Sequence, residues 1–146
     1  MDIKARARKL VKFFKTRDPF EMVQGMNVIV VHYPLQGVRG FYQYFKRNNI
    51  IYIDETLSER DAKFVCAHEL GHMLLHKTSN AIFMDTRTHF NTGKYETEAD
   101  TFAIELFIDD KDMEDYTSSG YTIEQIATLT GYQPELIEMK LQNLKN

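Results

Sequence analysis

Hydrophobic and polar positions follow helical spacing in some segments and strand spacing in others, which predicts most of the elements. Residues 1–17 place apolar side chains at helical intervals between basic ones, so we expect an amphipathic helix with a solvated basic face. Residues 27–33 are rich in β-branched side chains and predict a strand. Residues 40–45 and 50–53 flank the polar stretch 46–49, which predicts a hairpin. The apolar positions of the first helix are Ile3, Ala7, Leu10, Val11 and Phe14.

Helical patterns dominate the rest of the chain. Ser58 followed by Asp61 resembles a capping box and predicts the start of a helix that ends near His76. Residues 78–94 carry turn residues and predict a long loop. A second helix is expected over residues 95–107, where apolar side chains again recur at helical spacing.

The last part of the chain predicts a pair of short helices. After an acidic connection, residues 122–130 and 134–144 have helical patterns on either side of Gly131. Helices segregated from a small three-stranded sheet indicate an α+β fold. The length of 146 residues fits a single domain over 1–146, with the C-terminal helix pair at 121–146.

Composition excludes several classes of protein. Hydrophobic residues make up 43% of the chain, and 10 Phe and 8 Tyr supply enough apolar area to offset chain ordering, so disorder is not expected. No apolar run approaches the roughly 18 to 20 residues of a membrane span, and the N-terminus lacks a signal-peptide pattern. The one cysteine, Cys66, excludes an internal disulfide and is expected to be a small buried residue. We therefore expect a cytoplasmic protein with no membrane partner.

Charge is unevenly distributed. A net charge of −3 and a pI near 5.9 argue against direct nucleic-acid binding. Residues 1–17 nevertheless hold seven Lys and Arg, and residues 95–121 hold nine Asp and Glu. Residues 122–137 resemble a helix-turn-helix, but Glu135 and Glu138 stand where a DNA-reading helix needs Arg or Lys. This favours packing or partner docking over DNA binding.

The segment His68-Glu69-Leu70-Gly71-His72 carries the candidate chemistry. Residues i and i+4 lie on one face of a helix, so both imidazoles can reach one metal ion. Zinc accepts His nitrogen at about 2.0–2.1 Å, and Glu69 lies beside the two ligands, where it can take a proton from a water molecule at the metal. The pattern predicts a zinc site with Glu69 as general base.

A zinc site needs a third protein ligand, and the candidates are His76, His89, Glu96, Glu98 and Asp100. Projecting the second helix at about 100° per residue puts Glu96 inside its apolar stripe, Asp100 at the edge and Glu98 on the other flank. A carboxylate in a packed face is costly unless it is paired or metal-bound, so Glu96 is the preferred ligand and Glu98 the alternative. Asp100 is then expected to hold a ligating imidazole by its other ring nitrogen. His76 lies a further turn along its helix, too far to share the ion comfortably.

The sequences CAHELGHMLLH (66–76) and YETEADTFA (95–103) together resemble the ImmA/IrrE family of zinc metallopeptidases. The hairpin GFYQYFKRNNIIYID is similar too, so the resemblance covers a catalytic core of roughly residues 18–110. The resemblance implies a gluzincin-like zincin fold with one zinc ion. It also implies His68, His72 and Glu96 as ligands and Glu69 as general base. The short length is similar to that of the ImmA type.

Members of this family cleave a helix-turn-helix transcriptional repressor and so relieve repression of a prophage, a mobile element or a stress regulon. The resemblance therefore implies a zinc endopeptidase with a repressor as its protein substrate. The alternatives are a non-catalytic module that binds the repressor, with structural zinc or none, and a DNA-binding regulator, which the acidity of the chain disfavours.

The substrate is expected to lie extended against a sheet edge, and residues 40–45 are the strand we expect there. A second donor to the oxyanion would come from Tyr95, His89 or a hairpin tyrosine.

Overall fold

The described part of the chain comprises residues 2–76, 83–85 and 93–144 of a computed structural model and forms seven helices and one four-stranded sheet. The expected α+β class is confirmed. The strands are β1 (Ile29–Tyr33), β2 (Gly40–Phe45), β3 (Asn48–Asp54) and β4 (Phe83–Asp85). The helices are α1 (Ile3–Phe14), α2 (Pro19–Gly25), α3 (Glu59–His76), α4 (Gly93–Phe107), α5 (Asp110–Ser118), α6 (Ile123–Thr130) and α7 (Pro134–Asn143).

The sheet has the strand order β1-β3-β2-β4, with β1 parallel to β3 and the other neighbours antiparallel. The hairpin between β2 and β3 turns on Lys46 and Arg47, both with positive φ, as a tight two-residue turn requires. The sheet has one strand more than the three predicted, because β4 lies within the predicted loop 78–94. A three-residue strand is too short to display an alternating pattern. Residues 77–82 and 86–92 lie outside the described part of the chain.

The interior position of β2 overturns one expectation. β2 pairs with β3 along its whole length and with β4 over residues 40–42, so in the described part of the chain this half of β2 is not the open edge of the sheet that we expected over residues 40–45. Of the strands that the structure describes, β1 and β4 lie at the edges. The sequence misplaced the edge because the strand that covers β2 was not recognised.

Close packing places α3 between the sheet and α4. A Cβ at Gly40 would lie 2.5 Å from Val65 Cγ1, so only glycine lets α3 approach β2 this closely. On the opposite side of α3, a Cβ at Gly71 would lie 3.2 Å from Phe102 Cδ1 and 3.3 Å from the Cα of Ala99. These two glycines set the spacing that holds the candidate site between α3 and α4.

The C-terminal helices form a second cluster around the end of α4. The predicted acidic connection is a helix, α5, whose first turn is capped by Asp109 accepting a hydrogen bond from Asp112 N. Met113 is the one fully buried residue of α5. A single buried side chain does not produce a periodic apolar stripe, so the sequence pattern did not predict this helix. α6 begins with a capping box of Thr122 and Gln125. The buried residues of this cluster are Ile104, Ile108, Met113, Ile126, Ala127, Leu136 and Ile137.

The basic N-terminal helix packs its apolar face into the core, and part of its charge meets the start of α5. Lys4 Nζ lies 2.9 Å from Asp110 Oδ1, and Arg8 also pairs with Asp110. Lys140 of α7 is fully buried, with Nζ 2.7 Å from both Glu105 Oε1 and Asp110 Oδ1. The uneven charge of the sequence is therefore partly neutralised within the molecule. Among the described residues, no helix combines the length and apolarity needed to span a membrane.

Candidate metal centre

The active-site candidates on α3 lie on one helical face directed at α4. His68 and His72 are separated by one turn, and their Nε2 atoms are 3.1 Å apart. Both side chains are buried. The spacing of four residues in a helix thus brings two imidazole nitrogens to one point, as the sequence pattern requires for a shared ion.

Glu96 in the first turns of α4 completes the group. Its Oε2 lies 2.9 Å from His68 Nε2, and its Oε1 lies 2.9 Å from His72 Nε2. One ligand-capable atom from each of the three residues falls within 4.8 Å of the others. Bonds of about 2.0–2.1 Å in a tetrahedron imply ligand atoms about 3.3 Å apart, close to these separations. Two imidazoles and one carboxylate are also a donor set that zinc accepts, so the residues present fit a metal ion.

Asp100 lies one turn beyond Glu96 on α4 and contacts the other side of His68. Its Oδ1 is 2.7 Å from His68 Nδ1. A metal-ligating imidazole usually donates its other ring N–H to a carboxylate, which fixes both its tautomer and its orientation. The Asp100 contact directs His68 Nε2 at the Glu96 carboxylate and His72, so the Nε2 lone pair of a neutral His68 would face a bound ion.

Three members of the cluster have shifted pKa values. Burial lowers the pKa of His68, but hydrogen bonds to Asp100 and Glu96 outweigh it and raise that pKa well above its usual value. Burial raises the pKa of Glu96, whereas hydrogen bonds to His68 and His72 bring it down to about 2. Burial lowers the pKa of His72, and its hydrogen bond to Glu96 only partly offsets this. Near pH 7 Glu96 is therefore ionised and His72 neutral, as metal ligation requires, whereas His68 in the metal-free protein holds a proton that it must release to bind an ion.

Glu69 is fully buried in α3, adjacent in sequence to His68. Its charge contributes to the raised pKa of His68 and of Cys66, so it acts electrostatically on the same region. Cys66 is itself buried in the core, as expected, and burial raises the pKa of its thiol. A thiol in that environment is a packing residue.

The remaining candidates lie elsewhere. Glu98 Oε1 is 2.9 Å from His76 Nε2, so Glu98 is not a member of the His68, His72 and Glu96 group. His76 is buried and its Nδ1 lies 2.9 Å from His72 Nδ1, a contact that sequence reasoning missed. The sequence did carry a signal for this contact, because histidine recurs every four residues at positions 68, 72 and 76 of one helix. His89 lies outside the described residues.

A His-Glu-x-x-His helix packed on a small sheet, with a glutamate from the next helix, defines a metallopeptidase of the zincin type. The family profile described as the IrrE N-terminal-like domain, peptidase family M78, matches residues 23–142. The chain belongs to this ImmA/IrrE family of metallopeptidases. The resemblance expected from the sequence is thereby confirmed.

Two relatives align along nearly the whole chain. "Uncharacterized immunity region protein 2" of Bacillus phage phi105 is 42% identical, and the match covers 99% of this chain and 92% of the relative. "Metallopeptidase ImmA" of Bacillus subtilis strain 168 is 28% identical, with 97% of this chain and 85% of the relative covered. These similarities agree with peptidase activity dependent on a metal ion.

Proposed function

We propose that the protein is a zinc-dependent endopeptidase that hydrolyses a peptide bond in a helix-turn-helix transcriptional repressor and so relieves repression. The observation that carries the proposal is the convergence of His68 Nε2, His72 Nε2 and the Glu96 carboxylate, beside a buried Glu69. A purely structural site has no use for a buried carboxylate next to its ligands. Hydrolysis requires a base there.

Each residue of the proposed centre has a separate task. His68, His72 and Glu96 hold the ion, and Asp100 orients His68 through its Nδ1. When bound, zinc lowers the pKa of a water molecule toward about 7 and polarises the scissile carbonyl. Glu69 accepts a proton from the attacking water and returns it to the leaving amine.

The edge of the sheet supports an extended peptide as substrate. Among the described strands β4 lies at the edge of the sheet and pairs antiparallel with β2, so strand addition by a substrate would take place on its outer side. Main-chain hydrogen bonds along β4 would hold a substrate chain in extended form, the form in which a single peptide bond is presented to a metal centre. β4 therefore takes the place of β2, the strand that the sequence suggested as the one to which the substrate adds.

The choice of a repressor as substrate rests on the relatives. The phage phi105 relative carries the name of an immunity region protein, and the Bacillus subtilis relative that of a metallopeptidase, ImmA. A peptidase with such relatives is best matched to a protein that controls phage immunity. Direct binding to nucleic acid is not part of the proposal, because the net charge is −3 and part of the basic charge of α1 is paired internally.

Glu69→Gln tests the proposal. The variant removes the base and leaves the three ligands in place, so it is expected to bind zinc as the wild type does while losing at least about 100-fold in cleavage rate. The measurement is mass spectrometry of a helix-turn-helix repressor from a phage immunity region after incubation with each protein, together with elemental analysis of both proteins. Equal cleavage by wild type and variant contradicts the assignment of Glu69. A zinc-loaded wild type that binds the repressor without cutting it favours the binding module instead.

A further inference from the structure

The face of α3 that carries the ligands continues for one more turn, to His76. His76 is the last residue of the helix and is buried, with 4% of its surface exposed. Its Nδ1 lies 2.9 Å from His72 Nδ1, and its Nε2 lies 2.9 Å from Glu98 Oε1. A chain of contacts therefore runs from a carboxylate on α4 through two imidazoles to the candidate metal centre.

The chemistry of the two rings fixes the direction of these hydrogen bonds. If His72 Nε2 is to offer a lone pair to a metal ion, the ring hydrogen of neutral His72 must be on Nδ1. His72 Nδ1–H then donates to His76 Nδ1, which acts as an acceptor. The hydrogen of neutral His76 must consequently be on Nε2, where it is donated to Glu98 Oε1.

The carboxylate of Glu98 thus selects the tautomer of His76, and His76 selects that of His72. Asp100 makes the corresponding contact directly, because its Oδ1 lies 2.7 Å from His68 Nδ1. α4 runs antiparallel to α3, with Asp100 beside His68 and Tyr95 beside His76. In this arrangement Glu96 reaches the ligand atoms, while Glu98 and Asp100, two and four positions further along the helix, act on one imidazole each.

We propose that His76 and Glu98 are positioning residues that hold His72 in the tautomer and orientation needed to bind the metal ion. The inference rests on the proposed metal centre and deepens it. The competing interpretation is that His76 merely fills space at the end of α3. The two interpretations differ in what they predict for metal affinity in a protein that remains folded.

The test compares zinc dissociation constants, measured on metal-stripped protein by competition with a chromophoric chelator. His76→Leu removes the acceptor for His72 and is expected to weaken zinc binding by about 10-fold to 100-fold, the usual cost of losing such a partner. His76→Asn places a carbonyl oxygen near the position of Nδ1 and is expected to restore most of the affinity. Recovery by the smaller, polar side chain is the result that a space-filling role does not produce.

Control variants separate positioning from packing. Leu75→Ala, in the same turn, is expected to lower the unfolding midpoint of the metal-free protein and leave zinc affinity unchanged. His76→Leu is expected to weaken zinc binding and to leave the unfolding midpoint of the metal-free protein close to that of the wild type. If His76→Leu does not fold, Glu98→Leu and Glu98→Gln give the same comparison, with loss of affinity in the first and partial retention in the second, whose amide oxygen still accepts a hydrogen bond.

The possible failures are distinguishable. A wild type that binds no zinc overturns the proposed metal centre and this inference with it. A wild type that binds zinc, with His76→Leu binding equally tightly, overturns the positioning role alone. Equal weakening in His76→Leu and His76→Asn, accompanied by a lower unfolding midpoint in both, also overturns it, since packing then accounts for the effect.

Discussion

At the scale of single residues, Glu96 and Glu98 are two positions apart on α4 and are expected to respond differently to the same substitution. Glu96→Ala removes a carboxylate that contacts both His68 Nε2 and His72 Nε2, so zinc retention after loading and desalting is expected to fall well below one ion per chain. Glu98→Ala removes a contact to His76, and the weaker zinc binding expected from that loss still leaves close to one ion per chain after desalting. Elemental analysis of both variants beside the wild type measures this.

The opposite result has a definite meaning. Loss of zinc in Glu98→Ala with retention in Glu96→Ala would make Glu98 the third ligand and contradict the geometry of the group. Retention of zinc in both variants would mean that the two histidines and a group other than these glutamates are enough to bind the ion. Either result leaves the family assignment intact, since that rests on the alignment of residues 23–142.

The positions of these residues were predictable to different degrees. The helical projection of α4 could place Glu96 and Glu98 on different flanks of the helix, because a period of 3.6 residues is a local property that the sequence carries. The contact between His76 and Glu98 could not be predicted, because it depends on the distance and direction between α3 and α4. That spacing is set by packing at Gly71, and nothing in the local pattern of either helix encodes it.

At the scale of elements, the approach of α3 to α4 is expected to limit what can replace Gly71. A valine there would put two methyl groups against Phe102 and the backbone of Ala99, where a Cβ alone already comes within 3.2–3.4 Å. Overpacking of this kind costs about 1–3 kcal/mol. Gly71→Val is therefore expected to lower the free energy of unfolding by that amount and to weaken zinc binding as well, because Glu96 moves with α4.

Urea denaturation and chelator competition measure the two effects. Gly93→Val is the matched control, because a Cβ at Gly93 meets no atom of the described residues within 4 Å. Unchanged stability and unchanged zinc affinity in Gly71→Val would show that the spacing of α3 and α4 does not depend on the glycine.

Prediction of the elements succeeded where the pattern was long and failed where it was short. The 18 residues of α3 have a capping residue at one end, and Ser58 Oγ accepts a hydrogen bond from Asp61 N as expected. β4 has three residues and α5 buries one side chain fully, so neither repeats a pattern often enough to be recognised. The missed β4 is also the reason that the sheet edge was assigned to β2.

At the scale of the whole molecule, charged side chains far apart in sequence hold the N-terminal helix, α4, α5 and α7 together. Lys140 and Glu105 form a buried pair, and Asp110 lies between Lys140 and Lys4. Sequence reasoning recognised the basic and acidic segments but had no means of pairing them, because each contact spans 30 residues or more. The pairing nevertheless makes a prediction about stability in acid.

Asp110 is expected to contribute a pH-dependent part of the free energy of unfolding. Burial raises its pKa, but hydrogen bonds from Lys140 and Lys4 bring it down to about 2, below the value of about 3.9 in an unfolded chain. The unfolded state therefore binds the proton more readily. The stabilisation by Asp110 is complete above about pH 4 and is lost as the pH falls toward about 2.

Asp110→Asn removes this carboxylate at every pH. Free energies of unfolding for metal-stripped wild type and variant should therefore differ most above pH 4 and converge as the pH approaches 2, measured by urea denaturation across that range. Stripping the metal matters because acid also protonates the ligands and would release a bound ion in the same range. Asp115→Asn, an exposed carboxylate in the same helix, is the matched control and should follow the wild-type curve. Parallel curves for wild type and Asp110→Asn would mean that Lys140 and Lys4 do not stabilise the ionised form of Asp110, and the charge pairing that joins the ends of the chain would then contribute nothing to acid stability.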